Sequence, residues 1–155
     1  MRRADGFRGG FTLVEIMIVV SVVALLAIIA VPSFLRAREQ ARSAKFVNAI
    51  RIASGAFEVY ATEHNGYPAD VNRGIIPAGM ATYFSKTFDW TKPTPLGGNW
   101  DWDYNVFGFV AAISAVGTNA TSAQMLEIDS KIDNGDLSTG AFRDVGSGRY
   151  SYILE

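Results

Sequence analysis

The chain has 155 residues, 49% of them apolar and 12% aromatic, with a formal net charge of −1 and no cysteine. That size allows one small domain beside the long apolar run near its start, and not two. The lack of cysteine excludes disulfides, thiol catalysis and thiolate metal sites, and 14 basic against 15 acidic side chains do not advertise a nucleic-acid surface.

Residues 1–10 are basic and glycine-rich, as the start of a signal peptide is, with Arg2, Arg3 and Arg8. From Ile16 to Val31 the only polar side chain is Ser21, and Phe11, Leu13 and Val14 extend the run backwards past Glu15 and Thr12. A helix from Phe11 to Leu35 would be about 36 Å long, more than a hydrocarbon core of about 30 Å. No Ala-x-Ala site closes the run, which speaks for a retained anchor over an ordinary secretory signal. Arg36, Arg38, Arg42 and Lys45 follow it, so basic residues flank both ends and charge alone leaves the orientation open.

Gly10-Phe11-Thr12-Leu13-Val14-Glu15 and the apolar run behind it resemble the cleavage and methylation segment of type IV pilins and type II secretion pseudopilins. The resemblance implies a prepilin peptidase cutting between Gly10 and Phe11, and N-methylation of Phe11. A glycine before the scissile bond suits a protease cleft, since it brings no side chain. Also implied is a single-pass bacterial inner-membrane protein with its head in the periplasm, later part of a periplasmic or extracellular fibre. The partners implied are other copies of the chain, related minor subunits, the peptidase, an inner-membrane assembly platform, and membrane lipid before assembly.

Glu15 carries the sharpest physical point, because an ionisable side chain near a membrane core is costly and usually has a partner or a role. One reading is a first-turn carboxylate at the positive end of the helix dipole, reaching the headgroups. The resemblance implies another, in which Glu15 pairs with the freed amine of Phe11 in a neighbouring subunit and sets the stagger of a fibre. Pro32 falls inside the helical pattern and removes the amide that would bond the Ile28 carbonyl, so a kink is expected there.

Beyond it, Phe46, Ile50, Ala53, Phe57 and Tyr60 recur on one helical face, with Arg42, Lys45, Arg51, Glu58 and Glu63 on the others. One helix is predicted from Phe11 to about His64, stopped by Asn65-Gly66 with Pro68 just beyond. His64, the lone histidine, reads as a terminal cap or surface residue, not a base.

Residues 67–98, broken by glycines and prolines, read as a connecting loop with a short helix around Ala78 to Phe84. Phe84, Phe88 and Trp90 are expected to pin that loop down. Asn99 to Tyr104 alternates polar and aromatic as a strand does, placing Trp100, Trp102 and Tyr104 toward the long helix and Asp101 and Asp103 outward. Phe109 to Val116 reads as a second strand. Thr121 or Ser122 caps a short helix bearing Met125, Ile128 and Ile132, and Ala141–Val145 with Tyr150–Leu154 form a terminal hairpin around Gly146-Ser147-Gly148.

Asp129, Asp133, Asp136 and Ser138 gather hard oxygen donors of the kind calcium takes, and several pseudopilins bind calcium in a loop of the head. The spacing departs from the EF-hand pattern, and Asp133-Asn134-Gly135-Asp136 is also ordinary turn chemistry, so both readings stand. No other cofactor is suggested.

No catalytic constellation emerges, since the lone histidine has no Ser or Asp grouping placed beside it. A membrane-anchored hydrolase using Asp101 and Asp103 is the distant alternative. The expected fold is α+β and pilin-like: a long N-terminal helix, membrane-spanning in its first half, packed on a small antiparallel sheet with a short additional helix. Its parts are a leader (1–10), a transmembrane or fibre-core half-helix (11–35), an amphipathic half (36–66) and a head (67–155), divided into loop (67–98) and sheet region (99–155). The expected function is a non-enzymatic subunit of a type II secretion pseudopilus, supporting protein export. Asn65-Gly66-Tyr67-Pro68 and the absence of a C-terminal cysteine pair favour it over a type IV pilus subunit for adhesion, motility or DNA uptake. Loss of the leader would leave 11 basic against 14 acidic side chains, so no nucleic-acid partner is expected.

Overall fold

The computed structural model describes residues 10–155, so all of the leader except Gly10 lies outside the described residues. The chain divides into two units between Glu39 and Gln40. One helix, α1 (Leu13–His64), runs through both and continues past Pro32, which therefore does not break it. It ends as the sequence predicts: Asn65 turns left-handed at φ 54°, and the Gly66 amide bonds back to the Ala61 carbonyl at 3.0 Å. His64 caps locally, its Nδ1 3.1 Å from the Tyr60 carbonyl and its ring stacked on Tyr60.

In the unit Gln40–Glu155, the apolar stripe of α1 is the wall of the core. Phe46, Ile50, Ala53 and Phe57 are fully or almost fully buried. Opposite them is β1 (Asn99–Tyr104), whose alternation turns Trp100 and Trp102 inward. Phe46 stacks on Trp100 with ring centroids 5.4 Å apart, and Phe57 on Trp102 at 3.8 Å. The indole of Trp102 donates to the Pro68 carbonyl at 3.0 Å, so its burial leaves no orphan donor. The connecting loop is pinned as expected: Phe84 stacks on Trp90, Trp90 meets Phe57, and Phe88 meets Trp100. A single 3₁₀ turn, Met80–Thr82, stands where the short helix was predicted.

Three further strands complete one antiparallel sheet: β2 (Ala111–Val116), β3 (Phe142–Gly146) and β4 (Arg149–Ile153). The order is β1-β2-β4-β3, so the terminal hairpin inserts its last strand against β2 and leaves β3 at the edge. Central β2 is buried at every position. The second helix, α2 (Ser122–Ile132), starts on Thr121, whose side chain accepts from the Gln124 amide. Gln124 in turn donates to Ser43 of α1 at 2.9 Å, and Met125 and Ile128 enter the core.

The outer face of the sheet corrects one expectation. Asp101 and Asp103 do point away from the tryptophans, but they are only 5% and 3% exposed. Arg149 of β4 reaches across β2 and lays its guanidinium over both carboxylates. Nη1 is 2.7 Å from each Asp103 oxygen, and Nη2 is 2.8 Å from Asp101 Oδ2. Ser114 donates to Asp103 and is hydrogen-bonded to Ser151, while the Phe107 ring lies 4.6 Å from the guanidinium carbon. Alternation decides which way a side chain points; what covers it is decided by the 105–110 turn and by β4.

Asp101 Oδ1 is buried without a hydrogen-bond partner. Burial pushes the Asp101 carboxyl above the ordinary range against the pull of Arg149, helped by the charges of Asp103 and Asp70. A folded-state pKa raised above the unfolded one means the folded form binds the proton more tightly, so stability falls as pH rises through that window and returns on acidification. Arg149→Met strands two buried carboxylates and is expected to lower stability by about 3–5 kcal/mol at neutral pH. Part of that loss should be regained toward pH 4, whereas Asp101→Asn, which keeps an acceptor for Arg149, should stay near the parent. Chemical denaturation at pH 7 and pH 4 checks both, and equal losses for Arg149→Met at the two pH values would contradict the assignment.

Candidate assembly segment and head loop

The residues singled out for processing and assembly lie at the start of α1. Thr12 is the N-cap: its Oγ1 accepts from the Glu15 amide at 3.2 Å, and the Glu15 carboxylate accepts from the Thr12 amide at 3.4 Å. This reciprocal pair is a capping box, and it satisfies two of the amides that a helix start leaves without intrahelical partners. The pattern Thr-x-x-Glu at 12–15 is the sequence signal of such a start. Glu15 is thereby pre-oriented at the positive end of the helix, and its carboxylate remains solvent-exposed.

From this cap to Leu35 the helix packs against none of the described residues. Phe11 is 79% exposed and Leu13 77%, and the 18-residue window with mean hydropathy 3.0 is not buried at all. Ser21 returns its hydroxyl to the Met17 carbonyl at 2.8 Å and Ser33 to the Ile29 carbonyl at 3.2 Å, so both polar groups are satisfied within the helix. Beyond Glu15 the surface this segment offers is apolar, which suits an apolar surrounding. Gly10 and Phe11 precede the first helical residue, and their backbone is outside the helical hydrogen bonding that would resist entry into a protease cleft.

The second predicted site is the turn after α2. Asp129 is fully buried and neither carboxylate oxygen has a hydrogen-bond partner. Burial raises its pKa first and the Asp133 charge adds to this, while the amides of Asp136 and Gly135, near but outside hydrogen-bond geometry, pull the other way. Asp133 accepts from the Ala141 and Phe142 amides, and Asp136 accepts from the Ser138 amide at 3.0 Å and hydroxyl at 2.7 Å. Gly140 closes the turn at φ +80°, where a Cβ would lie 1.9 Å from Asp133 Oδ2. The loop is thus fastened by its own side chains, as turn chemistry predicts, while an unpartnered carboxylate remains in its wall. Among the described residues no three acidic or histidine side chains converge closely enough to hold a metal by themselves. A calcium ion would need Ser138, Asn134 or main-chain oxygens beside the carboxylates, and the orphaned Asp129 fits that use.

The apolar, capped N-terminal helix and the small antiparallel sheet with its short second helix give an α+β, pilin-like fold. The family described as "Prokaryotic N-terminal methylation motif" matches residues 5–31, which include Gly10, Phe11 and Glu15. The chain is similar to type II secretion system core protein G of Escherichia coli strain K12, 36% identical over 75 residues, 48% of this chain and 50% of that one. Core protein G of Pectobacterium carotovorum is 37% identical over 66 residues, 42% of each chain. The type IV wide pilus major component PilA4 of Thermus thermophilus is 29% identical over 89 residues, 48% of this chain and 68% of PilA4. The chain thus spans half or less of the length of the core protein G relatives it matches. No solved structure matches it.

The capping box has a direct test. Thr12→Val keeps the side-chain shape but removes the acceptor, a loss of about 1 kcal/mol, so the Glu15 amide should exchange with solvent about fivefold faster in detergent micelles. Unchanged exchange would mean that Thr12 does not cap α1.

Proposed function

We propose that this chain is a structural subunit of a type II secretion pseudopilus, polymerising through α1 to support protein export. The observation that carries the reading is an N-terminal half-helix that is unburied among the described residues and opens on Gly10-Phe11 and a capped Glu15. Such a helix is stable in lipid, and equally among its own copies, so a subunit can be stored in the inner membrane and moved into a fibre. The similarity to core protein G supports the secretion assignment. The longer coverage of PilA4 supports a second reading, a type IV pilus subunit.

On this reading the peptidase cuts between Gly10 and Phe11, Phe11 is methylated, and the head lies in the periplasm. The amine freed on Phe11 and the carboxylate of Glu15 on a neighbour form the register pair, with the inner-membrane platform and minor subunits as further partners. Pro32, which leaves the Ile28 carbonyl without its amide partner, is where we place a bend. Asp101 and Asp103, bound up by Arg149, support a structural role for those carboxylates over hydrolysis.

Glu15→Ala is expected to be cleaved at Gly10–Phe11 like the parent, by intact mass, yet to yield filaments reduced about tenfold, the loss of one desolvated charge pair. Parental filament yield in that variant would refute the register pair.

We also propose that the loop of Asp129, Asp133, Asp136 and Ser138 takes calcium. Saturation at 100 times the dissociation constant should add about 2.7 kcal/mol and raise Tm by about 5–10 °C. The gain should vanish in Asp129→Asn, and a Tm indifferent to calcium and chelator would leave the loop an ordinary turn.

A further inference from the structure

The head carries a basic, apolar-floored groove on one side and an acidic, leucine-bearing face on the other. The groove, about 450 Å³, lies between α1 and the 86–95 stretch of the connecting loop. Lys45, Lys86 and Lys92 rim it, and Ile52, Phe88 and Trp100 supply its apolar lining. Its single acid, Asp89, is held by Lys92 at 3.4 Å, which leaves Lys45 and Lys86 as the uncompensated charges of the rim. The opposing face is formed by Leu126, 43% exposed, with Leu137, Val145, Asp136 and Asp144, and no cation lines it.

Two independent placements put these surfaces on opposite sides of the head. Trp100 belongs to β1 and Asp144 to β3, the two edges of the sheet, three strand spacings or about 14 Å apart. On α1, Lys45, Asn48, Ala49 and Ile52 lie roughly half a turn round from Ser43, at about 100° per residue. Ser43 is the residue that bonds α2, the helix carrying Leu126.

We propose that the groove receives the Leu126–Asp144 face of a second copy of this chain. The charges are complementary, each surface pairs apolar side chains with charge of one sign, and neither surface matches itself. A contact between two different surfaces is heterologous and passes from copy to copy, as a helical array requires and a twofold dimer does not. Leu126 enters between Ile52 and Phe88 while Asp144 meets Lys86. This surface rests on the fibre reading above, and it adds a head-to-head contact to the one made by the N-terminal helices.

The absence of native cysteine makes the test clean. The full chain carrying Lys86→Cys and Asp144→Cys is assembled into filaments, sheared off and oxidised. Asp144 is on the β3 edge and Lys86 is in the connecting loop, in the groove against Trp100 of the opposite edge strand, so a disulfide within one chain is not expected. A ladder of cross-linked multimers is expected, and none from the control pair Val59→Cys and Asp144→Cys. In a second arm, Asp144→Lys should lower filament yield about tenfold and Lys86→Asp should restore it in the double variant. Filaments that form without the ladder, or with an equal ladder in the control, overturn the docking surface alone. A cross-link from the Lys86→Cys position to a different protein in place of the ladder overturns it in favour of a foreign partner. Failure of the unmodified chain to form filaments at all overturns the fibre reading and this inference with it.

Discussion

The structure of the head depends on two ring stacks, Phe46 on Trp100 and Phe57 on Trp102. They join the amphipathic stretch of α1 to the first strand, and everything else is arranged against them. Each buried aromatic side chain contributes about 1.5–3 kcal/mol of transfer energy, and stacking adds about 0.5–1.5 kcal/mol per pair. Phe84, Phe88 and Trp90 extend the same cluster into the connecting loop. That is why so long a segment with one 3₁₀ turn keeps a fixed course. Without a disulfide, ring packing is what holds the loop.

The other unit obeys the opposite constraint. The apolar side chains from Phe11 to Leu35 are exposed and pack on no core among the described residues, so their stability is set by whatever surrounds them. The polar groups within that stretch are dealt with locally: two serines bond back to helix carbonyls, and Glu15 closes a capping box with Thr12. A helix so arranged tolerates one apolar environment as readily as another. The carboxylate of Glu15 is the one group whose energy distinguishes between them.

Much of this was legible because it depends on local patterns. Stripe spacing placed the buried face of α1, polar–aromatic alternation placed β1, and Asn65-Gly66 placed the helix end, each because the backbone period or a left-handed position dictates residue type. The N-terminal motif was legible for the same reason, being contiguous. The Thr12–Glu15 pair was equally readable through its three-residue spacing. Arg149 was not, since it lies 46 residues from Asp103 and meets it only because β4 inserts beside β2. Nor was the isolation of Asp129, whose neighbours in sequence suggested ligands while its burial came from the packing of α2.

Residue periodicity places the long helix and the strands, divides the helix into an apolar and an amphipathic half, and sets the side of β1 on which its acids stand. These follow from periodicity, which is a property of a single segment. Strand pairing and packing bury those acids beneath an arginine, make the last strand central and the third an edge, and gather lysines and carboxylates on opposite sides of the head. Each of these depends on which distant segments are paired, and pairing is settled by the burial of the whole core at once.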